Sequence, residues 1–187
     1  MPIKITDKKN KSAETKVFIS EKEIQKKVMQ LAKNISRDYA DKNPVLVCVL
    51  KGAVIFLADL LRHINIFTSI DFMAISSYGK DTETSGVVRI LKDLDTSIES
   101  KHILVVEDII DSGLTLHYLL NNLRSRNPAS LKVCTLLSKT ENRKVEVKVD
   151  YNGFEIPNKF VVGYGLDFNE SYRNLPYLAL LNEEVVL

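Results

Sequence analysis

An α/β fold is predicted by a local pattern that occurs twice, an apolar β-branched run passing into a helix-like segment, and by the position of the acidic residues. The runs are Val45 to Leu50, followed by Ala53 to Ile64, and Ile103 to Val106, followed after a polar turn by Leu114 to Arg126. Short unbroken apolar runs read as buried strands, and Leu-rich segments at helical spacing read as helices. The third observation is that Glu107, Asp108 and Asp111 stand where the second run ends. Open α/β sheets put their ligands at the carboxyl ends of strands.

The chain has 187 residues, enough for one domain with a sizeable core. Its 45% hydrophobic and 27% charged residues are ordinary for a globular protein. A net charge of +2 makes no general case for binding nucleic acid, so any anion selectivity must be local. Cys48 and Cys134 each fall inside an apolar run without a CxxC pattern, which reads as two buried, reduced thiols. The amino end has no apolar signal core and no run approaches a membrane span, so the expectation is a cytoplasmic protein without membrane or nucleic-acid partners.

Residues 1 to 16 are polar and Lys-rich, and the first dozen read as loose. Ser20 and Glu23 make a capping box, and Ile24, Val28, Leu31, Ile35 and Tyr39 recur at helical spacing behind it. The strand Val45 to Leu50 ends in Lys51-Gly52, a lysine and a glycine at a strand-to-helix turn, which suits an anion. Ile70 to Ile75 is the next strand, and the polar stretch from Ser76 to Gly86 reads as a loop before the chain returns through Val88-Arg89-Ile90. Leu116, Leu119, Leu120 and Leu123 share one face of the helix that Pro128 ends. Leu131 to Leu137 is another strand with Lys139 just beyond it, a position that by itself reads as a solvent-facing lysine. Val145 to Val149 alternates with charge as a half-exposed strand does. Tyr177 to Leu181 and Val185 to Leu187 read as short closing strands, and His63, His102 and His117 have no ligand-like neighbours.

The chemistry is concentrated between Glu107 and Thr115. Asp111, Ser112, Gly113, Leu114 and Thr115 offer successive backbone N–H groups at a helix start, two hydroxyls and a glycine that admits a ligand to the backbone. This is a phosphate cradle, helped by the positive end of the helix dipole. Carboxylates beside a phosphate repel it unless a cation or hydroxyl donors intervene, and magnesium and ribose hydroxyls supply both. No GxxxxGK[ST] or GxGxxG is present, which excludes a P-loop and a dinucleotide fingerprint.

The stretch Val105-Val106-Glu107-Asp108-Ile109-Ile110-Asp111-Ser112-Gly113-Leu114-Thr115 closely resembles the phosphoribosyl-pyrophosphate motif of the type I phosphoribosyltransferases in its hypoxanthine-guanine form. The block from Gly153 to Glu170 resembles the carboxyl-terminal hood of the same enzymes, and the likeness runs from about Val45 to Asn182. Leu114 stands where longer eukaryotic members commonly have lysine, and an apolar residue there resembles bacterial-type members. The resemblance implies a mostly parallel central sheet flanked by helices, with a small carboxyl-terminal hood. It implies one domain over 1–187, the hood built mainly from about 150–187 and the amino-terminal segment.

It also implies roles. Glu107, Asp108, Asp111, Ser112, Gly113, Leu114 and Thr115 would bind the phosphoribosyl group, and Lys51, Gly52 and Arg173 the pyrophosphate. Lys139, Phe160, Val161 and Asp167 would hold a 6-oxopurine: Lys139 by donating to the exocyclic oxygen, Phe160 by stacking and the Val161 backbone by reading the edge. Glu107, Asp108 and Asp167 would orient Mg2+, the implied cofactor, while Ser77 and Tyr78 belong to a lid. Asp111 is the expected base that accepts the purine ring proton. The expected reaction moves a phosphoribosyl group from 5-phosphoribosyl-1-pyrophosphate to hypoxanthine or guanine, in a homodimer or homotetramer. Two alternatives stay open, a sister enzyme preferring xanthine or guanine and an RNA-binding regulator of the same fold. Lys139 with Phe160-Val161 speaks against the second.

Overall fold

The structure, a computed structural model, describes residues 16–77 and 88–181. Its largest sheet has six strands in the order β4-β3-β2-β5-β6-β7. They are β2 (Val45–Leu50), β3 (Ser69–Ser77), β4 (Val88–Lys92), β5 (His102–Ile110), β6 (Ser130–Ser138) and β7 (Tyr151–Glu155). β2 is parallel to β3 and β5, β5 to β6 and β6 to β7, while β4 is antiparallel to β3. The α/β architecture expected from the strand-to-helix pattern, and the mostly parallel sheet that the resemblance implies, are therefore present.

Helices cover both faces, which is why β2 and the Ile103 to Val106 run of β5 are apolar without interruption. α1 (Glu21–Asp38) and α2 (Val54–His63) bury Val28, Leu31, Phe56 and Leu60 against Leu46, Cys48, Leu104 and Val106. α3 (Leu114–Arg124) buries Leu116, Leu119 and Leu123 on the other face, against Val45, Val47, Ile103 and Val105. The capping box forms as expected. The Glu23 N–H donates to Ser20 Oγ at 3.4 Å, and the Ser20 N–H donates to Glu23 Oε2 at 2.8 Å. Among the described residues no helix is long and apolar enough to cross a membrane.

The register aligns the functional ends. Val45 pairs with Ile103 and Cys48 with Val106, so Lys51 and the Glu107 to Asp111 stretch emerge at one edge of the sheet. The Lys139 N–H donates to the Ile110 carbonyl at 2.9 Å, which brings the end of β6 to the same edge. A second sheet, β1-β9-β8, is not hydrogen-bonded to the first, but its Ile19, Val161 and Leu178 join the core that α1 and α2 cover. Its strands β1 (Lys16–Ile19), β8 (Val161–Val162) and β9 (Leu178–Leu180) pair antiparallel, Lys16 with Leu180 and Val161 with Leu180. Val162, Ala179 and Leu181 form a small apolar cluster there.

Three expectations change. Val145 to Val149 is irregular rather than a strand, and the strand that pairs with β6 is Tyr151–Glu155. The Lys144 N–H donates to the Ser112 carbonyl at 3.0 Å and the Asp150 N–H to the Val133 carbonyl at 3.0 Å, so the segment is tied across the α3 turn. Its period of two comes from Val147 and Val149 packing on the α3-side core, and one-sided burial alternates whether or not a neighbouring strand is present. His102 is not isolated either: its Nδ1 lies 2.8 Å from Ser130 Oγ, at the opposite end of β5 from the carboxylates. The expected closing strand at Tyr177 to Leu181 narrows to β9, and Val185 to Leu187 lie outside the described residues. Cys48 and Cys134 are free and buried as expected.

Candidate active site

Asp108, near the end of β5, sits where three backbone segments converge. Its Oδ1 accepts the Ile109 N–H at 2.9 Å, and a Cβ placed on Gly52 would lie 1.6 Å from its Oδ2. Only a residue without a side chain fits beside that carboxylate. Gly165 meets the same turn from the other side. At φ +100° its added Cβ would stand 2.1 Å from the Gly52 carbonyl oxygen. Tyr164 fastens this turn to α2, its hydroxyl donating to Asp59 Oδ2 at 2.7 Å. The peptide bond between Leu50 and Lys51 is cis.

Burial governs the charge of the acidic pair. It pushes the Asp108 carboxyl up to about 6, against the pull of backbone amides and Arg173 and with the repulsion of Asp167. Glu107, 8% exposed, is pushed well above the usual carboxylate range, first by burial and then by Asp108. Among the described residues no three potential ligands come close enough to cage a metal ion. The set nevertheless suits Mg2+, which is usually held by one or two carboxylates with the remaining positions filled by water and substrate oxygens. Two neighbouring carboxylates, Glu107 buried and Asp108 half-buried, are groups that such a cation stabilises.

Asp111 follows β5 directly. Lys139 Nζ stands 3.1 Å from its Oδ2, and Asn142 Nδ2 donates to its Oδ1 at 3.0 Å. The same Asn142 amide reaches Asn158 Oδ1 at 2.7 Å. Lys139 is buried, not solvent-facing, because the hydrogen bond from its N–H to Ile110 turns the residue back over the sheet edge. The cradle comes next: Gly113, at φ +81°, is the N-cap of α3, and Ser112 Oγ accepts the Leu114 N–H at 3.4 Å. Ser112, Leu114 and Thr115 are all partly exposed around a helix start whose first N–H groups have no intrahelical partner.

Lys51 and Arg173 meet through a carboxylate. Both Glu170 oxygens lie 3.2 Å from Lys51 Nζ, and Glu170 Oε2 lies 3.4 Å from Arg173 Nη2. Lys51 beside it holds the Glu170 carboxyl below its usual range, with Arg173 contributing less. Arg173 also pairs with Asp167 Oδ1 at 2.8 Å and donates to the Gly165 carbonyl at 2.8 Å. Phe160 is 41% exposed, its ring edge-to-face with Phe168 at 5.6 Å, which leaves it free to stack on a planar ligand. Val161 begins β8 and is buried. Ser77 ends β3, while Tyr78 and the rest of the expected lid lie outside the described residues.

Sequence reasoning missed Asn142, Asn158 and Glu170. Asn142 joins Asp111 across 31 positions and Glu170 joins Lys51 across 119, distances at which no local pattern signals a contact.

The chain is similar to known proteins along most of its length. The family model for the phosphoribosyl transferase domain matches residues 19–169. A hypoxanthine-guanine phosphoribosyltransferase of Bacillus subtilis (strain 168) is 54% identical over 170 residues, covering 91% of this chain and 94% of its own. One from Dictyostelium discoideum is 55% identical over 172 residues, covering 90% and 96%. A crystal structure of a hypoxanthine-guanine phosphoribosyltransferase from Bacillus anthracis, with a HEPES molecule in its active site, superposes with a TM-score of 0.86 at 51% identity and covers 89% of this chain and 98% of its own. The chain belongs to the phosphoribosyltransferase family, on the branch of the hypoxanthine-guanine enzymes. It is an enzyme of that class, with the type I fold.

Proposed function

We propose that the chain transfers the phosphoribosyl group of 5-phosphoribosyl-1-pyrophosphate to hypoxanthine, and to guanine, giving IMP or GMP and pyrophosphate in purine salvage. The observation that carries this reading is the buried Lys139 ammonium, 3.1 Å from Asp111, with both residues beside the helix-start cradle. An ammonium so placed can donate to a 6-oxo group and has nothing to accept from a 6-amino group, which accounts for a preference against adenine. Asp111 takes the purine proton as the ring nitrogen attacks, and Phe160 stacks on the base with the Val161 backbone along its edge. Ser112, Gly113, Leu114 and Thr115 hold the 5′-phosphate.

Lys51, the Gly52 backbone and Arg173 hold the pyrophosphate. Glu107 and Asp108 orient the ribose hydroxyls and stabilise positive charge on the ribose as the glycosidic bond loosens. Mg2+, bound to one or two of Glu107, Asp108 and Asp167 and otherwise to water and substrate oxygens, would neutralise the leaving group. Ser77 and Tyr78 contribute to a lid that excludes water. We read residues 1–187 as one domain with the β1-β9-β8 sheet as its hood, working in the cytoplasm as a homodimer or homotetramer.

The reading is tested at Lys139. A Lys139→Met variant should lose about tenfold to hundredfold in kcat/KM for hypoxanthine, the size of one lost hydrogen bond from a charged donor, and little for adenine. An unchanged ratio between the two bases would remove Lys139 from base selection.

A further inference from the structure

We propose that Glu170 is a built-in stand-in for pyrophosphate: its carboxylate bridges Lys51 and Arg173, and an incoming diphosphate has to displace it. This rests on the reading of those two cations as the pyrophosphate ligands.

The geometry is that of an anion in its site. Both oxygens of Glu170 face Lys51 Nζ at 3.2 Å, and one of them faces Arg173 Nη2 at 3.4 Å. Arg173 does not need this contact to be held. It already has the nearer Asp167 carboxylate at 2.8 Å and the Gly165 carbonyl at 2.8 Å. Folding gains little either, because Lys51 and Glu170 side chains are each 68% exposed and exposed ion pairs contribute little to stability. Lys51, for its part, has no other ion-pair partner among the described residues.

Glu170 is aimed by its backbone rather than by Lys51. Asn169 and Glu170 both lie at positive φ, +49° and +59°, in a turn closed by the bridge between Phe168 and Ser171. The Glu170 N–H donates to Asp167 Oδ2 at 2.9 Å, so the turn presents the side chain to the two cations whether or not they are bound to it.

The consequence is a weaker grip on diphosphate and a faster release. Each diphosphate that binds trades an existing carboxylate contact for its own, and each one that leaves is replaced at once by the same carboxylate. An exposed pair of this kind lowers affinity about twofold to fivefold. The effect falls on pyrophosphate and on 5-phosphoribosyl-1-pyrophosphate and spares the purine, because the Glu170 carboxylate bonds Lys51 and Arg173 and only its backbone N–H meets Asp167.

The experiment measures the affinity of the purified full chain for inorganic pyrophosphate with magnesium by calorimetry, in four forms: unaltered, Lys51→Met, Glu170→Gln and Glu170→Asp. Thermal melting confirms that each variant is folded. The proposal predicts that Lys51→Met weakens binding and that Glu170→Gln tightens it about twofold to fivefold. Glu170→Asp, which keeps the charge and shortens the reach, should tighten it too. If Lys51→Met weakens binding and Glu170→Gln leaves it unchanged or weaker, the stand-in is overturned and the reading of Lys51 survives. If Glu170→Gln tightens binding and Glu170→Asp does not, the effect is one of net charge and the specific contact is overturned. If Lys51→Met has no effect, the pyrophosphate reading fails and the inference with it.

Discussion

Asp111 has a donor on each oxygen, Lys139 on one and Asn142 on the other, so both oxygens are engaged before a base binds. On the proposed reading, a 6-oxopurine that draws Lys139 to its own oxygen would free one Asp111 oxygen to accept the ring proton. Replacing Asp111 with Asn should lower kcat about a hundredfold to ten-thousandfold, with a much smaller change in KM for 5-phosphoribosyl-1-pyrophosphate. Steady-state kinetics with hypoxanthine decide it, and unaltered turnover would take the proton to another acceptor. At this scale the sequence was readable only in part. Glu107, Asp108 and Asp111 announce themselves because three acids in five positions at a strand end have no packing rationale. The burial of Lys139 could not be read, since a lysine after a strand is usually solvated and only the bond to Ile110 turns this one inward.

Among the elements, the turn after β2 and the turn at Gly163 to Leu166 are locked together by contact between glycine backbones. Gly165 has no room for a methyl group and its φ of +100° disfavours any L side chain. A Gly165→Ala variant should lose about 3 kcal/mol or more of stability, a fall in Tm of about 6 °C or more for a chain of this length. Differential scanning calorimetry reads it, and a melting curve unchanged from the parent would contradict the packing described. Helices and buried strands were the legible elements, because capping residues and apolar spacing are local signals: α1 begins at Ser20 as its box requires. Val145 to Val149 was not, because alternate burial carries the same period with or without strand pairing.

The molecule as a whole carries two neighbouring carboxyls, on Glu107 and Asp108, whose protonation is linked to folding. Burial raises Asp108 from an ordinary 3.8 to about 6 and Glu107 well above its ordinary value. Between about pH 4 and 6 the folded state binds more protons at these positions than the unfolded chain does. Their contribution to stability is therefore fully present below the unfolded value and is lost as pH rises through the folded one. The ligand-free protein should melt at a lower temperature at pH 7 than an Asp108→Asn variant, and the gap should close towards pH 4.5. Thermal melts across that range measure it, and a constant gap would deny the burial effect. The parallel sheet was legible in outline from its alternating strands and helices. The joining of β1 to β9 was not, since it pairs residues near opposite ends of the chain, Lys16 with Leu180.

Pyrophosphate release by the purified protein, supplied with magnesium and 5-phosphoribosyl-1-pyrophosphate and offered hypoxanthine, guanine, xanthine, adenine and uracil one at a time, addresses the central claim directly. The site described here predicts efficient turnover with hypoxanthine and guanine, far weaker turnover with adenine and none with uracil. Turnover with adenine at a comparable rate, or with uracil alone, would contradict it.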